Sequence, residues 1–290
     1  MKPYIQLLRP LQWIKNTFVF FPLIFSQHLF EPNYFFKSVL AFIAFCLASS
    51  SIYCINDIVD KESDKQHPEK KKRPIASGEI SVSSAVSIAM VFIVIVLIIA
   101  LQLTNEFLIA IFLYIAFQFA YSFKFKHIVI VDIFIIALGF MLRVFSGAFA
   151  IHVQISHWII ITTLFLSLFL AASKRRGEFL LMKKLRIETK RKVLEDYSIG
   201  FLDMILMITA TGTAISYALY TMADRTIKIF GSDNLIFTSV FVLFGIFRYL
   251  FLVLSKEEGE NPALVLFHDK AMSINLLLWL FTCIAIIYYF

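Results

Sequence analysis

Residues 56–79 read NDIVDKESDKQHPEKKKRPIASGE, acid first and base after, and lie between two long apolar runs. Asp57, Asp60 and Asp64 stand at i, i+3 and i+7. At about 100° per residue, a continuous helix carries their side chains within roughly 60° of one another. Carboxylates so placed repel unless a cation lies between them. Hard divalent ions take oxygen ligands, and Mg2+ characteristically binds through one or two carboxylates plus substrate phosphates. Asn56 adds a neutral oxygen and a donor at the same level. A solvated helix end with local pairing to Lys61 and Lys65 is the plainer alternative. At a membrane boundary, three carboxylates on one face favour a metal–phosphate site. His67-Pro68 then ends the helical pattern, and Pro74 and Gly78 keep the segment a loop. From that loop Lys70-Lys71-Lys72-Arg73 can fold back towards the carboxylates. Arg73, fixed before Pro74, is the candidate phosphate contact, whereas Lys70 and Lys71 are explained by topology alone.

The runs on either side of this stretch set the fold class. Of 290 residues, 60% are hydrophobic and 16% charged, too apolar for a soluble domain of this length. Segments of about 20 apolar residues, enough to cross a bilayer as a helix, recur along the chain. They are continuous rather than alternating, which excludes a barrel and predicts an all-α, polytopic membrane protein. Nine spans are expected, at about 10–29, 35–56, 82–103, 105–122, 128–151, 157–173, 200–222, 234–255 and 270–289. Pro10, Lys15, Asn16 and Pro22 interrupt the first. No polar segment is long enough to bury a separate core, so a single membrane-embedded domain, 1–290, is expected. Nor does a small-residue cleavage site follow the first apolar stretch, which therefore reads as a retained helix. Cys46, Cys54 and Cys283 fall within spans and show no metal spacing.

Charge orients the bundle. Lys and Arg concentrate in 57–80, around Lys124 and Lys126, in 174–199 and at Lys256, and the intervening loops hold few. The positive-inside rule makes the rich loops cytoplasmic, with the N-terminus inside and the C-terminus outside. The net charge of +7 is mostly this signal and not a nucleic-acid footprint.

Further polar residues interrupt the apolar runs. The second basic loop, YSFKFKHIVIVD from Tyr121 to Asp132, brings Lys126 and His127 between spans and Asp132 about one turn into the next. Arg143 lies eleven residues deeper on a similar face, so Asp132 and Arg143 could line one polar cavity. An ion pair to another helix is the alternative for Arg143. Lys15 and Asn16 sit in the first apolar stretch, where Lys15 can snorkel or reach inward. SKRRGE closes the sixth span with Lys174, Arg175, Arg176 and Glu178. Arg248 lies inside the eighth and calls for an acidic partner or a polar cavity, and Glu257, Glu258 and Glu260 follow. No Walker loop, GxGxxG, HExxH or Gly-x-Ser-x-Gly is present.

Asn56-Asp57-x-x-Asp60-x-x-x-Asp64 resembles the first aspartate-rich motif of the UbiA superfamily of membrane prenyltransferases, nine-helix bundles whose active site opens to the cytoplasm. RPLQWIKN, DKQHPEKKKRPIASGEI, YSFKFKHIVIVD with GFMLRVFSGA, SKRRGE, and FRYLFLVLSKEEGENP with HDK resemble its polyprenyl-phosphate phosphoribosyltransferase branch, in order over most of the chain. The resemblance implies Mg2+-dependent transfer of 5-phosphoribosyl from phosphoribosyl diphosphate to a decaprenyl-like polyprenyl phosphate, with release of diphosphate. It places the protein in a bacterial inner membrane, facing the cytoplasm, without nucleic acid and with room for a homo-oligomer. The metal would lie on Asp57, Asp60 and Asp64, which are also the catalytic residues. Substrate would meet Lys15, Asn56, Arg73, Tyr121, Lys126, Asp132, Arg143, Lys174, Arg175 and Arg248. An aromatic prenyltransferase using a polyprenyl diphosphate is the competing enzyme, and a lipid or solute transporter the competing class. The absence of an internal repeat and the one-sided charge argue against the transporter.

Overall fold

The computed structural model describes residues 2–66, 70–185, 192–256, 265 and 268–290. His67-Pro68, Arg186, Lys190, Arg191, Glu257, Glu258 and Glu260 lie outside the described residues. Every regular element among the described residues is a helix. The chain divides into two compact units, one of Met1–Phe123 with Leu142–Val153, the other of Lys124–Met141 with Gln154–Phe290.

The first unit starts with α1 (Lys2–Leu8), a 3-10 segment (Pro10–Phe20) and α2 (Phe21–Phe25). There follow α3 (Pro32–Val59), α4 (Lys61–Gln66), a 3-10 turn at Lys70–Lys72, α5 (Val82–Gln102) and α6 (Asn105–Phe123). The C-terminal half of α7 (Val131–Ala150) completes it. The second unit takes the first half of α7, then α8 (His157–Leu185), α9 (Ile199–Met222) and α10 (Asp224–Phe230). A 3-10 turn at Asn234–Thr238 leads into α11 (Ser239–Ser255), and α12 (Lys270–Tyr289) ends the chain.

Among the described residues eight helices are long and apolar enough to cross a membrane: α3, α5, α6, α7, α8, α9, α11 with its 3-10 entry, and α12. The expected first span, 10–29, is not one of them. Pro10 and Pro22 lack the N–H that an α-helix interior uses. Arg9, ahead of Pro10, turns into the left-handed region at φ 51°, and the chain continues as 3-10 helix. The second difference concerns 174–185, expected as loop. No proline interrupts it, and α8 runs on through SKRRGE to Leu185, so Lys174, Arg175, Arg176 and Glu178 share one helix.

Small residues set the packing in the first unit. α5 lies on α3 where Ala85 and Ala89 are buried, and the Ser51 hydroxyl donates to the Ala89 carbonyl at 3.2 Å. In lipid such small-residue seams let backbones approach without a hydrophobic driving force. The interrupted N-terminal segment is tied to α3 by polar bonds. Ser50 donates to the Leu8 carbonyl at 2.9 Å and accepts from the Trp13 indole at 3.0 Å. Gly147 lets α7 meet the same segment, since a Cβ there would stand 2.1 Å from the Val19 carbonyl oxygen.

In the second unit α8 and α9 meet closely at Gly212, where a Cβ would lie 2.5 Å from the Phe165 ring. The core runs from Ile133 and Ala137 through Phe169, Leu202 and Leu206 to Tyr249, Leu252 and Val253. Arg176 ties three helices there, donating to Asp203 of α9 at 2.6 Å and to the Val253 carbonyl of α11 at 2.8 Å.

Candidate functional site

In the first unit the acid–base stretch closes on itself. α3 ends at Val59, but helical bonding carries across the junction: the Asp60 amide donates to the Asn56 carbonyl at 2.9 Å and the Asp64 amide to the Asp60 carbonyl at 2.8 Å. Asp57 and Asp64 therefore stay two turns apart on one side, and both are buried. The loop then brings Arg73 back, as its place before Pro74 suggested. One nitrogen of its guanidinium, Nη1, donates to Asp57 at 3.0 Å and to Asp64 at 2.7 Å. Arg73 thus lies between carboxylates, where the sequence alone suggested a phosphate contact. Lys70, Lys71 and Lys72 are exposed.

Arg9 is the residue that sequence reasoning missed here. It donates to the same Asp57 oxygen at 2.5 Å and lies over the Tyr53 ring, 4.8 Å from its centre. Its left-handed backbone aims it. The signal in the sequence was Arg9-Pro10 at the head of an apolar stretch, visible but without an evident partner 48 residues away.

Asp57 and Asp64 suit a hard divalent cation, because two buried carboxylates already converge on one cationic nitrogen. Asp60 is half-buried and caps α3. Among the described residues no three of His, Cys, Asp and Glu gather into a metal-holding group, so the expected trio on one face is a pair with Asp60 set apart. Arg73 stands between the other two, and Asp60 lies at the turn that joins α3 to α4. Asn56 is half-buried and its carbonyl is used by Asp60.

Lys15, Asn16 and Arg143 extend this cluster inward. Arg143 Nε donates to Asn16 Oδ1 at 2.8 Å and Nη2 to the Tyr114 hydroxyl at 2.9 Å. Its guanidinium lies 4.7 Å from the Tyr114 ring centre. Asn16 is turned by its own donations to Ser49 and Cys46 of α3, both 3.3 Å. Lys15 lies within electrostatic reach of Arg143 and Arg9 and makes no hydrogen bond or ion pair among the described residues. Among the described residues Arg9, Lys15, Arg73 and Arg143 outnumber Asp57, Asp60 and Asp64, and charge left unbalanced in a partly buried site calls for an anion.

The second unit holds another polar group, built around the fully buried Asp132 and Arg175. Asp132 Oδ2 lies 3.3 Å from Arg175 Nε, and Asp132 Oδ1 accepts from the Tyr197 hydroxyl at 2.7 Å. Arg175 reaches Glu178 at 2.5 Å, and Lys174 is 3.9 Å from the other oxygen of Glu178. Burial, and next the Asp132 acceptor, push the Tyr197 hydroxyl pKa up. The bonds of Asp132, to Tyr197 and Arg175, differ from those of Arg143, to Asn16 and Tyr114. Lys126 is half-buried in a 3-10 turn (Phe125–His127), and Tyr121 is half-buried near the end of α6.

Arg248 has the acidic partner its depth called for, although it is one the sequence did not single out. Its Nε and Nη2 donate to the two Asp269 oxygens at 3.1 and 2.7 Å. Those bonds hold the Asp269 carboxyl below the usual range, and Asp269 also caps α12 by accepting from the Met272 amide at 2.9 Å.

Residues 19–277 match the model of the UbiA prenyltransferase family. The chain is 33% identical over 288 residues to decaprenyl-phosphate phosphoribosyltransferase of Corynebacterium glutamicum, covering 98% of this chain and 86% of that protein. It is 35% identical over 295 residues to the enzyme of that name from Mycolicibacterium smegmatis, covering 98% and 92%. In fold it resembles a UbiA homolog from Archaeoglobus fulgidus solved with DMAPP and Mg2+, at TM-score 0.73 and 20% identity over 99% of both chains. The same homolog bound to GPP and Mg2+ gives a TM-score of 0.72 over 98% of this chain and 99% of that one.

Proposed function

The chain is a member of the UbiA prenyltransferase family, and we propose that it transfers 5-phosphoribosyl from phosphoribosyl diphosphate to a polyprenyl phosphate. Near-full-length relatives bearing the name decaprenyl-phosphate phosphoribosyltransferase support this choice of substrates. The observation that carries it is the cationic excess around Asp57 and Asp64, which suits a donor and an acceptor that are both anionic. An aromatic acceptor brings no second phosphate.

We assign Mg2+ to Asp57 and Asp64, with Asp60 as a further oxygen; it would supply charge neutralisation to the departing diphosphate. Arg9 and Arg73, held beside those carboxylates, supply charge-assisted hydrogen bonds to diphosphate oxygens. The ribosyl C1–O bond breaks with its electron pair leaving on diphosphate, positive charge develops at C1, and an oxygen of the lipid phosphate forms the new bond. That nucleophile is already anionic, so no general base is required. Lys15 and Arg143 offset the repulsion between the anions. Lys126, Lys174 and Arg248 are assigned to the acceptor phosphate, and Asn56, Tyr121, Asp132 and Arg175 to orienting these groups. The chain, 1–290, is assigned to one catalytic domain in a bacterial inner membrane. The basic loops and this site face the cytoplasm, the N-terminus lies inside and the C-terminus outside.

The test supplies purified protein in detergent with Mg2+, a polyprenyl phosphate and radiolabelled phosphoribosyl diphosphate. Label should enter the lipid phase with wild type and not with Asp57→Ala. Turnover of a prenyl diphosphate with an aromatic acceptor, and none of phosphoribosyl diphosphate, would make the chain an aromatic prenyltransferase instead.

A further inference from the structure

The loop before α7 contains a backbone feature that the reaction above does not use. Ile130 has φ 69°, in the left-handed region. For a β-branched residue that conformation is a true outlier, and strain of this kind persists only where surrounding structure imposes it. Its carbonyl accepts from both the Ile133 and Phe134 amides at 3.0 Å, so Ile130 is the residue from which α7 begins. Its own amide donates to the Tyr197 hydroxyl at 2.7 Å. That hydroxyl in turn donates to Asp132 on the first turn of α7. One buried side chain, arriving from the segment before α9, therefore grips both sides of the helix start. Arg175 of α8, itself paired with Glu178, anchors Asp132 from the other side. The gripped residue lies three positions after the 3-10 turn Phe125–His127, which carries Lys126.

We propose that Tyr197 is a positioning residue: through Ile130 and Asp132 it fixes the loop 124–130 so that Lys126 is presented to the phosphate of the acceptor. This rests on the phosphoribosyl transfer proposed above. Tyr197 touches neither substrate. Its hydroxyl sets the exit angle of the loop from α7, and its ring stays packed beside Phe201, centres 6.2 Å apart. The grip is specific to a hydroxyl, since it must accept from an amide and donate to a carboxylate at once.

Tyr197→Phe keeps the ring and removes only the hydroxyl. Amide hydrogen exchange on the full-length protein in detergent should show faster exchange at Ile130 and through 124–130, with the other helices unchanged. Loss of one such bond, about tenfold in an equilibrium constant, should appear in KM for the polyprenyl phosphate. The KM for phosphoribosyl diphosphate should stay, and kcat should change by less than about threefold. In a Lys126→Ala background the same substitution should add no further rise in KM. Unchanged exchange at Ile130 would overturn the proposal whatever the reaction proves to be. So would an equal KM rise in the Lys126→Ala background, because Tyr197 would then act on stability alone. Wild type that transfers no phosphoribosyl, with the loop still loosened in Tyr197→Phe, would remove the reaction and leave the grip standing.

Discussion

Asp57 and Asp132 are both buried aspartates near the end of a spanning helix, and both are held by arginine. They differ in what surrounds the pair. Around Asp57 the arginines are partly open to solvent, at 25% for Arg9 and 27% for Arg73, and Lys15 adds charge with no ion-pair partner among the described residues. Around Asp132 the arginine is fully buried, Arg175 and Lys174 stand against Asp132 and Glu178, and Tyr197 completes the setting. A partly open site with spare cations can exchange its internal pairs for those of a ligand. A closed one with matched charges holds the fold, because breaking a buried pair leaves an uncompensated charge. The same residue type therefore does different work according to whether the local charge is balanced.

The sharpest way to break this contrast is to remove each aspartate. Asp132→Ala leaves Arg175 buried with Glu178 alone, and unfolding in denaturant should show a loss of about 3 kcal/mol. Asp57→Ala should keep its fold by circular dichroism, because Arg9 and Arg73 can turn to water. Its turnover should fall by roughly 10²–10³-fold. Matching symptoms in the two variants would erase the distinction. A smaller effect is expected at Gly147→Ala, where a Cβ meets the Val19 carbonyl oxygen at 2.1 Å. Repacking should cost about 1–3 kcal/mol and pull Asn16 away from Arg143, lowering both the melting temperature and donor affinity.

The smallest effect belongs to Arg248 and Asp269, a pair that can be read by pH. The Asp269 carboxyl is held below its ordinary range in the folded protein. Its contribution is thus complete above the unfolded value of about 4 and lost as pH falls through the lower folded one. Asn keeps the helix cap, so Asp269→Asn isolates the charge. Melting temperatures of wild type and variant should differ near neutral pH by the equivalent of less than about 1 kcal/mol and converge in acid.

How much of this could be read in the chain follows from the range of each interaction. Apolar runs announce spanning helices because lipid forces a helix to satisfy its own backbone, and eight of the nine expected spans are helices of that kind. The ninth, 10–29, is not among them; the interruption by Pro10 and Pro22 was visible, although its form, a 3-10 segment, was not. Arg73 folding back on Asp57 and Asp64 was legible because the loop is short. Arg9, Tyr197 and Asp269 were not, since their partners are 48, 65 and 21 residues away. No local pattern announces which distant polar residue closes a buried network. The spacing of Asp132 and Arg143 announced neither set of partners for the same reason: a shared helix face does not determine which neighbours each side chain meets.

The central claim is that the cationic excess of the first unit exists to bind an anion. Lys15→Ala tests it most directly, because Lys15 supports no hydrogen bond or ion pair among the described residues. Titrating phosphoribosyl diphosphate with Mg2+ into wild type and variant, with thermal unfolding as the readout, separates binding from stability. The variant without ligand should melt at or above the wild-type temperature, since removing a repelled charge costs the fold nothing. Its affinity for phosphoribosyl diphosphate should fall about tenfold, a loss of about 1.4 kcal/mol. Equal affinity in the two proteins, or a variant that melts lower while binding normally, would contradict it and make Lys15 part of the scaffold.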